Sequence, residues 1–266
     1  MARADCPQCE GSGWRVVERA SESGAGVMVR AAVRCDCSAG DREARALEVA
    51  RIPRRYEHCS LANFETDTLS DDSRATQWDR SLEQAKLVVQ GFVKNYPAVE
   101  DQGLLLMGNS GVGKTHLAVA ALKELVQRGH EGLFFDYNEL LKQIQSSYNA
   151  ESQTTEMAVL EPVLRCEILL LDDLGSGKPS AWALETVGHI LNTRYNEKRV
   201  TLITTNFLDL EASQRMKNVL PSGGAVRTED SLADRIGQRI RSRLFEMCRT
   251  VEMFARDYRR EIRRSR

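Results

Sequence analysis

The residues best suited to chemistry in this sequence form a glycine-rich loop near its middle. Residues 108–115, Gly-Asn-Ser-Gly-Val-Gly-Lys-Thr, match the pattern G-x-x-x-x-G-K-[ST] at every position. In such a loop backbone N–H groups surround a phosphate chain, the lysine contacts the β- and γ-phosphates, and the hydroxyl binds magnesium. We therefore predict a nucleotide phosphate site with Lys114 and Thr115 in these two roles. The alternative is a glycine-rich turn that holds no nucleotide.

Two acids and an amide follow apolar runs elsewhere in the chain. Residues 168–171, Ile-Leu-Leu-Leu, are too few for a helix and lead into Asp172 and Asp173. A second strand-like run ends in Asn206. We predict Asp172 as the magnesium partner, Asp173 as the group that orients or polarises an attacking water, and Asn206 as a hydrogen-bond partner of that water or of the γ-phosphate. The alternatives are an acidic strand end without a catalytic role and an asparagine that only terminates a strand.

Four cysteines near the N-terminus have the spacing of metal ligands. Cys6 and Cys9 form C-x-x-C, Cys35 and Cys37 form C-x-C, and 25 residues separate the pairs. Two close pairs of thiolates suit a tetrahedral zinc ion, and the apolar-rich segments between them predict a hairpin, so this stretch predicts a zinc ribbon. The alternative is four unrelated free thiols. The remaining cysteines stand among apolar neighbours and are predicted to be buried small side chains: Cys59, Cys166 and Cys248.

Short apolar strands and amphipathic helices alternate around these residues. Residues 103–107 predict a buried strand directly before the glycine-rich loop, and residues 116–127 predict a helix directly after it. This alternation is typical of an α/β fold with a parallel sheet. Further predicted elements are a strand at 133–136 and helices at 41–51, 78–96 and 138–147.

Charge is distributed unevenly along the 266 residues. The formal net charge of −1 lacks the basic excess of a dedicated nucleic-acid-binding domain. Residues 235–266 nevertheless contain eleven arginines and four acids, a surplus of seven, which leaves a net charge of −8 for the rest of the chain. All eleven cations are arginine, which favours planar recognition of phosphate groups over general solubility.

The arginine-rich segment predicts one amphipathic helix. Ile236, Ile240 and Leu244 recur every four positions, so residues 233–245 should be helical, with Arg239 and Arg243 on one side. A separate arginine, Arg194, has two possible roles: a contact at a subunit interface, or a charge favoured by the dipole of a helix C-terminus.

The sequence predicts no membrane segment and no export signal. Its longest apolar runs are far shorter than the roughly 20 residues that a membrane span needs. The first ten residues contain no apolar core of a signal peptide. We therefore expect a cytoplasmic protein with reduced thiols.

Taken together, these motifs resemble the AAA+ ATPases, and within them the DnaC/DnaI-type helicase loaders with the related IstB transposition helpers. The likeness covers residues 52–266. It is carried by Gly-Val-Gly-Lys-Thr-His-Leu-Ala at 111–118, Leu-Leu-Asp-Asp-Leu-Gly at 170–175, Leu-Asn-Thr-Arg-Tyr at 191–195, Thr-Thr-Asn at 204–206 and Asp-Arg-Ile-Gly-Gln-Arg-Ile-Arg-Ser-Arg-Leu at 234–244.

The resemblance implies further roles for individual residues. Asn206 is similar to the sensor 1 residue of the family, and Arg259 to the sensor 2 residue that contacts the nucleotide of its own subunit. Arg243 resembles the arginine finger that reaches the nucleotide of a neighbouring subunit, with Arg239 as the alternative. Asp173 stands where most AAA+ proteins have glutamate, which implies slow hydrolysis. The implied nucleotide-binding set is Gly108, Asn109, Ser110, Gly111, Val112, Gly113, Lys114, Thr115, His116 and Arg259.

Two less specific segments also resemble parts of the family. Ile52 to Tyr56, with Leu61 and Phe64, is similar to the patch that receives the adenine base. The polar stretch at 146–159 is similar to an insertion that contacts single-stranded DNA, and an ordinary surface loop is the alternative. Its candidate contacts are Lys142, Tyr148 and Asn149.

The predicted organisation is a zinc ribbon at 1–40, a helical linker segment at 41–75, and a three-layer AAA+ ATPase domain without a helical lid at 76–266. The resemblance implies an ATPase that uses ATP, Mg²⁺ and Zn²⁺, is stimulated by partners, self-associates, and loads a DnaB-type replicative helicase onto single-stranded DNA. One alternative is an IstB-like helper that binds DNA and regulates a transposase. Another is a binding module in which ATP is only a structural ligand.

Overall fold

The computed structural model of the protein describes residues 5–20, 28–35, 37, 39–66, 75–99, 103–148, 155–209, 230–255 and 257–259. Asn149, named above as a candidate DNA contact, lies outside these residues. The chain divides into two compact units, Met1–Ala50 and Arg51–Arg266. Each unit is described by itself.

The first unit contains a hairpin followed by a helix. Strand β1 (Trp14–Ala20) pairs antiparallel with β2 (Met28–Arg34), with Trp14 opposite Arg34. This confirms the predicted hairpin. Helix α1 (Ala39–Val49) follows. The backbone N–H of Cys35 donates to the Gly13 carbonyl at 2.8 Å, so the pairing of the two strands extends to the cysteines.

The described part of the second unit contains a parallel sheet of five strands in the order β4-β5-β6-β3-β7. Every residue of β3, β5 and β6 is buried, which explains the apolar runs of β3 and β5. In β6 the buried residues include three threonines. The predicted α/β fold with a parallel sheet is confirmed. The strands are β3 (Gly103–Gly108), β4 (Gly132–Asp136), β5 (Ile168–Asp172), β6 (Val200–Thr205) and β7 (Arg249–Met253).

Helices cover both faces of this sheet. Alternate strand residues such as Leu105, Leu169 and Ile203 share one core with helices α4 to α8, while α3 packs on strands β3 to β6 and α2 packs on α3 and β7. The helices are α2 (Ala75–Asn95), α3 (Lys114–Gln127), α4 (Tyr137–Ser146), α5 (Glu156–Arg165), α6 (Ala181–Asn196), α7 (Leu232–Ile236) and α8 (Gln238–Met247). Three layers result, and they place the carboxyl ends of β3, β5 and β6 side by side.

The expectation of one helix over residues 233–245 is wrong. Gly237 ends α7 with φ 80° and ψ 152°, a backbone conformation that favours glycine because a Cβ atom would be strained there. Helix α8 begins at the next residue. The buried Ile236, Ile240 and Leu244 join the same core from both helices. The four-residue spacing of these apolar residues therefore continues across the helix break and does not predict it.

Arg194 lies in the last turn of α6, as the predicted role at a helix C-terminus requires. The alternative role at a subunit interface is wrong, because the residue is not at the surface. Its side chain is fully buried at the end of α6. The guanidinium donates to the carbonyls of Val163 (2.9 Å), Cys166 (3.0 Å) and Val200 (2.5 Å), and to the hydroxyl of Thr201 (3.0 Å). The Arg194 side chain therefore connects the end of α5 to the start of β6 through buried hydrogen bonds.

The helices of the described residues include none that is both long enough and apolar enough to cross a membrane.

Candidate functional site

The phosphate loop connects the end of β3 to the start of α3. Gly111 has φ 81° and Gly113 has φ 100°, conformations that favour glycine. A Cβ atom on Gly113 would lie 2.6 Å from Cε2 of Phe64, and one on Gly111 would lie 2.0 Å from Oδ1 of Asp257. The local geometry therefore requires glycine at both positions and leaves the N-terminus of α3 open to an anion.

Lys114 is buried beneath this loop and is held by three oxygen atoms. Its Nζ donates to the carbonyls of Gly108 (2.9 Å) and Asn109 (2.7 Å) and to Oδ1 of Asn206 (2.8 Å). Burial lowers the pKa of Lys114 to about 8, although the charges of Asp173 and Asp172 act in the opposite direction. The ammonium group thus stands at the end of β3, and the three oxygens that accept from it among the described residues are all neutral.

Asp172 ends β5 and accepts two hydroxyl hydrogen bonds on one oxygen. The donors to its Oδ1 are Thr115 (2.9 Å) and Thr204 (2.6 Å). Burial raises the pKa of the Asp172 carboxyl, and the two hydroxyls partly offset that effect. A carboxylate and a hydroxyl at this separation fit the oxygen ligands that Mg²⁺ prefers, since magnesium usually keeps several waters and takes few protein ligands.

Asp173 and Asn206 are joined directly. The Asn206 side-chain amide donates to Oδ1 of Asp173 at 2.6 Å. Asp173 itself has φ 59°, unusual for a residue with a side chain, and its backbone N–H donates to the Thr204 hydroxyl at 2.9 Å. Because Asn206 also accepts from Lys114, one amide links the phosphate-loop lysine to the second acid.

Residues of the second unit that precede the sheet flank the phosphate loop. Tyr56, Leu61 and Phe64 are buried, and the Phe64 ring lies 5.4 Å from the ring of His116. Burial raises the pKa of Tyr56, and the charges of two arginines and the hydroxyl of Thr115 partly offset this increase. This arrangement brings the residues predicted to receive adenine next to the start of α3.

The four N-terminal cysteines are brought together in the first unit. One Sγ atom from each of Cys6, Cys9, Cys35 and Cys37 lies within 4.8 Å of the others. The Cys6–Cys35 and Cys9–Cys37 sulfurs are 3.7 Å and 3.5 Å apart, too far for disulfide bonds and close to the roughly 3.8 Å expected between thiolates at about 2.3 Å from one zinc ion. A backbone hydrogen bond from Gln8 lowers the pKa of the Cys6 thiol to about 7. The donor set fits zinc.

Comparison with known sequences decides the family. Residues 42–264 match the sequence model of the family described as IstB-like ATP binding protein. The chain belongs to this IstB-like ATP-binding family. The match includes the phosphate loop, the strand ends that carry Asp172 and Asn206, and the arginine-rich helices. The predicted kinship with the IstB and DnaC/DnaI-type proteins is confirmed.

Two curated relatives of this IstB-like chain are replicative helicase loaders. DnaI of Bacillus subtilis is 28% identical over 148 residues, which are 55% of this chain and 44% of that protein. DnaC of Escherichia coli is 25% identical over 172 residues, which are 62% of this chain and 65% of that protein. The chain thus matches less than two thirds of the length of either relative.

A solved structure shares the fold of the IstB-like chain. The crystal structure of the DnaC helicase loader superposes with a TM-score of 0.58 and 30% identity, covering 76% of this chain and all of the other. The α/β AAA+ fold class is therefore confirmed.

The predicted arginines of this IstB-like ATP-binding protein lie in different places. The backbone N–H of Tyr258 donates to the Gly111 carbonyl at 3.1 Å, which places Arg259 beside the phosphate loop. The charge of Arg259 adds to the burial that lowers the pKa of Lys114. Arg243 lies on α8 near Tyr195 of α6, and Arg239 is exposed one turn earlier.

Thr204 is a residue of this site that the sequence pattern did not single out. Its hydroxyl donates to Asp172 and accepts from the backbone N–H of Asp173, so it fixes both acids. The available signal was a threonine inside a fully buried strand, two positions before Asn206. A buried hydroxyl needs hydrogen-bond partners, and here the partners are the acids of the neighbouring strand.

Proposed function

We propose that the second unit binds ATP and hydrolyses it, and that the protein uses ATP to load a ring-shaped, DnaB-type replicative helicase onto single-stranded DNA. The observation that supports hydrolysis most directly is the chain of contacts Lys114–Asn206–Asp173 at the end of three parallel strands. Two relatives described as replicative helicase loaders support the biological task.

In this proposal each residue has a separate task in phosphoryl transfer. Lys114 releases its carbonyl partners and contacts the β- and γ-phosphates, while backbone N–H groups of the loop hold the other phosphate oxygens. Thr115 and Asp172 would hold magnesium, which would neutralise charge on the phosphates. Asp173 orients the attacking water, and Asn206 fixes the Asp173 carboxylate. Aspartate is one methylene shorter than the usual glutamate, so turnover is slow and depends on partners.

ATP hydrolysis is tested by removing the proposed water-orienting carboxylate. Asp173→Asn should lower turnover about 10²-fold or more while ATP still binds. Glu83→Gln, an exposed acid-to-amide change on α2, is the control and should leave turnover unchanged. Equal, background-level turnover in the wild type and Asp173→Asn would show that the site binds ATP without hydrolysing it.

The first unit is proposed as the module that contacts the helicase. Its hairpin exposes 51% of Trp14 and 69% of Val16, two apolar side chains on one face of β1. Apolar surface of this kind favours a protein partner over water.

Val16→Glu should abolish capture of the helicase by full-length protein and leave ATP turnover intact. The matched control is Leu87→Glu on α2, where the side chain is 67% exposed. Equal capture by both variants would remove the hairpin from the interface.

Self-association and DNA binding belong to the same proposal. Arg243 is half-buried on α8 near Tyr195 of α6, and in this proposal it serves as a finger for the nucleotide of a second copy. The surplus of arginines in residues 235–266 supplies charge for phosphate groups of nucleotide and DNA.

The family match also supports a second candidate, an ATP-dependent helper of a transposase. The matched model carries the IstB name and covers most of this chain. Capture experiments distinguish the two functions, because a loader retains a replicative helicase and a transposition helper retains a transposase. Retention of a transposase but not of a helicase would favour the second candidate.

A further inference from the structure

A second cluster of metal-binding side chains lies in the ATPase unit, apart from the four N-terminal cysteines. His58, Cys59 and His116 each offer a ligand atom, and these atoms lie within 4.8 Å of one another. The Cys59 sulfur is 3.9 Å from Nε2 of His58. Zinc held at about 2.0–2.1 Å from nitrogen and about 2.3 Å from sulfur separates tetrahedral ligands by about 3.6 Å, so small side-chain rotations close the site.

Hydrogen bonds around His116 set its protonation. Its Nε2 lies 3.1 Å from the Ser60 carbonyl and 2.9 Å from Oδ1 of Asn63. The Asn63 amide is oriented by its own bonds, because Nδ2 donates to the His58 carbonyl and Oδ1 accepts from the backbone N–H of Ser60. Both neighbours of Nε2 are therefore acceptors, and Nε2 must carry the proton.

This arrangement leaves a lone pair on the other ring nitrogen of His116. Burial lowers the pKa of His116, and the hydrogen bond to the Ser60 carbonyl partly opposes this effect. Metal-binding histidines usually donate their second N–H to a carbonyl or carboxylate, which fixes the ring for coordination. The Ser60 and Asn63 oxygens provide that support here.

The chain around Cys59 is fixed in place as well. Lys123 of α3 donates to the Cys59 carbonyl at 3.0 Å, and the Cys59 side chain is 1% exposed. Burial raises the pKa of the Cys59 thiol to about 11, so the thiol is neutral until a metal displaces its proton into solvent. His58 is exposed and gives an ion access from solvent.

We infer that Cys59, His58 and His116 form a binding site for a thiophilic divalent cation of the zinc class. The three protein ligands leave one tetrahedral position for water. His116 directly follows Thr115 of the phosphate loop, and Phe64 packs on its ring, so the ion ties the segment at 51–66 to the start of α3. This site shares no residue with the proposed magnesium ligands or with the cysteine cluster of the first unit.

Zinc bound per chain, measured on full-length protein after incubation with zinc and gel filtration, tests the inference. His58→Gln changes an exposed ligand and should bind one zinc fewer than the wild type. His189→Gln is the matched control, since His189 is also exposed, and it should bind as much zinc as the wild type.

Cys59→Ser provides a second variant and should also lose one zinc, with circular dichroism used to verify that it is folded. Because the test compares the zinc content of a variant with that of the wild type, it does not depend on whether the N-terminal cysteines bind zinc. Equal zinc content in the wild type and His58→Gln would overturn the site.

Discussion

The side-chain amide of Asn206 donates to the Asp173 carboxylate at 2.6 Å. The same amide accepts from Lys114 at 2.8 Å, so its orientation is determined by a donor on one side and an acceptor on the other. Asn206 therefore positions the group that is proposed to orient water and also contacts the lysine that is proposed to hold the γ-phosphate.

Replacing Asn206 should impair hydrolysis more than binding. Asn206→Ala removes a polar group that fixes Asp173, and loss of one such preorganised group typically lowers turnover about 10²–10³-fold. ATP affinity should change little, because the loop N–H groups and Lys114 remain. Steady-state turnover and equilibrium binding of a fluorescent ATP analogue separate the two effects. Unchanged turnover with weakened binding would contradict this role.

ATP binding should weaken as the pH rises above about 8. The pKa of Lys114 is lowered by burial to about 8, so the amine is charged below that pH and increasingly neutral above it. Phosphate favours the charged form, so binding at higher pH must take up a proton, and the dissociation constant should rise by up to about tenfold per pH unit.

Calorimetry in buffers of different ionisation enthalpy measures this proton uptake directly. Lys114→Arg is the control, because arginine stays charged across this range and should show no uptake from this position. A wild-type affinity that is constant between pH 7.5 and pH 9.5, roughly half a unit below to one and a half units above that pKa, would contradict the prediction.

The buried Arg194 should be a major contributor to stability. Arg194→Met leaves the carbonyls of Val163, Cys166 and Val200 without their donor, and each unsatisfied buried group costs about 1–3 kcal/mol. We expect the free energy of unfolding in urea to fall by about 3 kcal/mol or more. Arg165→Met, with a side chain 70% exposed, should change it by less than about 0.5 kcal/mol. Similar effects of the two substitutions on the free energy of unfolding would contradict this stabilising role of Arg194.

An arginine finger supplied by a second copy should allow complementation. Arg243→Ala retains an intact phosphate loop, and Lys114→Ala retains an intact finger. Each variant alone should be inactive, and an equimolar mixture should recover part of the wild-type turnover, because Lys114→Ala supplies Arg243 to the neighbouring site. Repeating the mixture with Arg239→Ala in place of Arg243→Ala shows which arginine acts. Full turnover by Arg243→Ala alone would remove it as the finger.

The sequence predicted those parts of the site that depend on local pattern. The phosphate loop is a continuous motif between a strand and a helix, and parallel strands place their carboxyl ends at one edge, so Asp172, Asp173 and Asn206 meet beside Lys114. The cysteine pairs were recognisable for the same reason, because each pair is a short motif.

Features that depend on tertiary packing were not predictable in this way. A guanidinium with four hydrogen-bond partners on other elements has no local signature, so the sequence predicts the helix end that carries Arg194 but not the burial of its side chain. Gly237 interrupts a helix without disturbing the four-residue spacing of the apolar side chains. Cys59 was expected to be only a small buried side chain, yet the fold brings His116 beside it from a helix 57 positions later in the chain.

Loading of a helicase onto a closed circle of single-stranded DNA tests the central proposal most directly. A ring-shaped helicase cannot thread onto a circle, so stable association requires that the ring be opened. Helicase, DNA and ATP are incubated with wild-type protein or with Lys114→Ala, and the helicase that co-migrates with the circle is measured. The proposal predicts helicase on the circle only with wild-type protein and ATP. The same amount of bound helicase with and without the protein would contradict it.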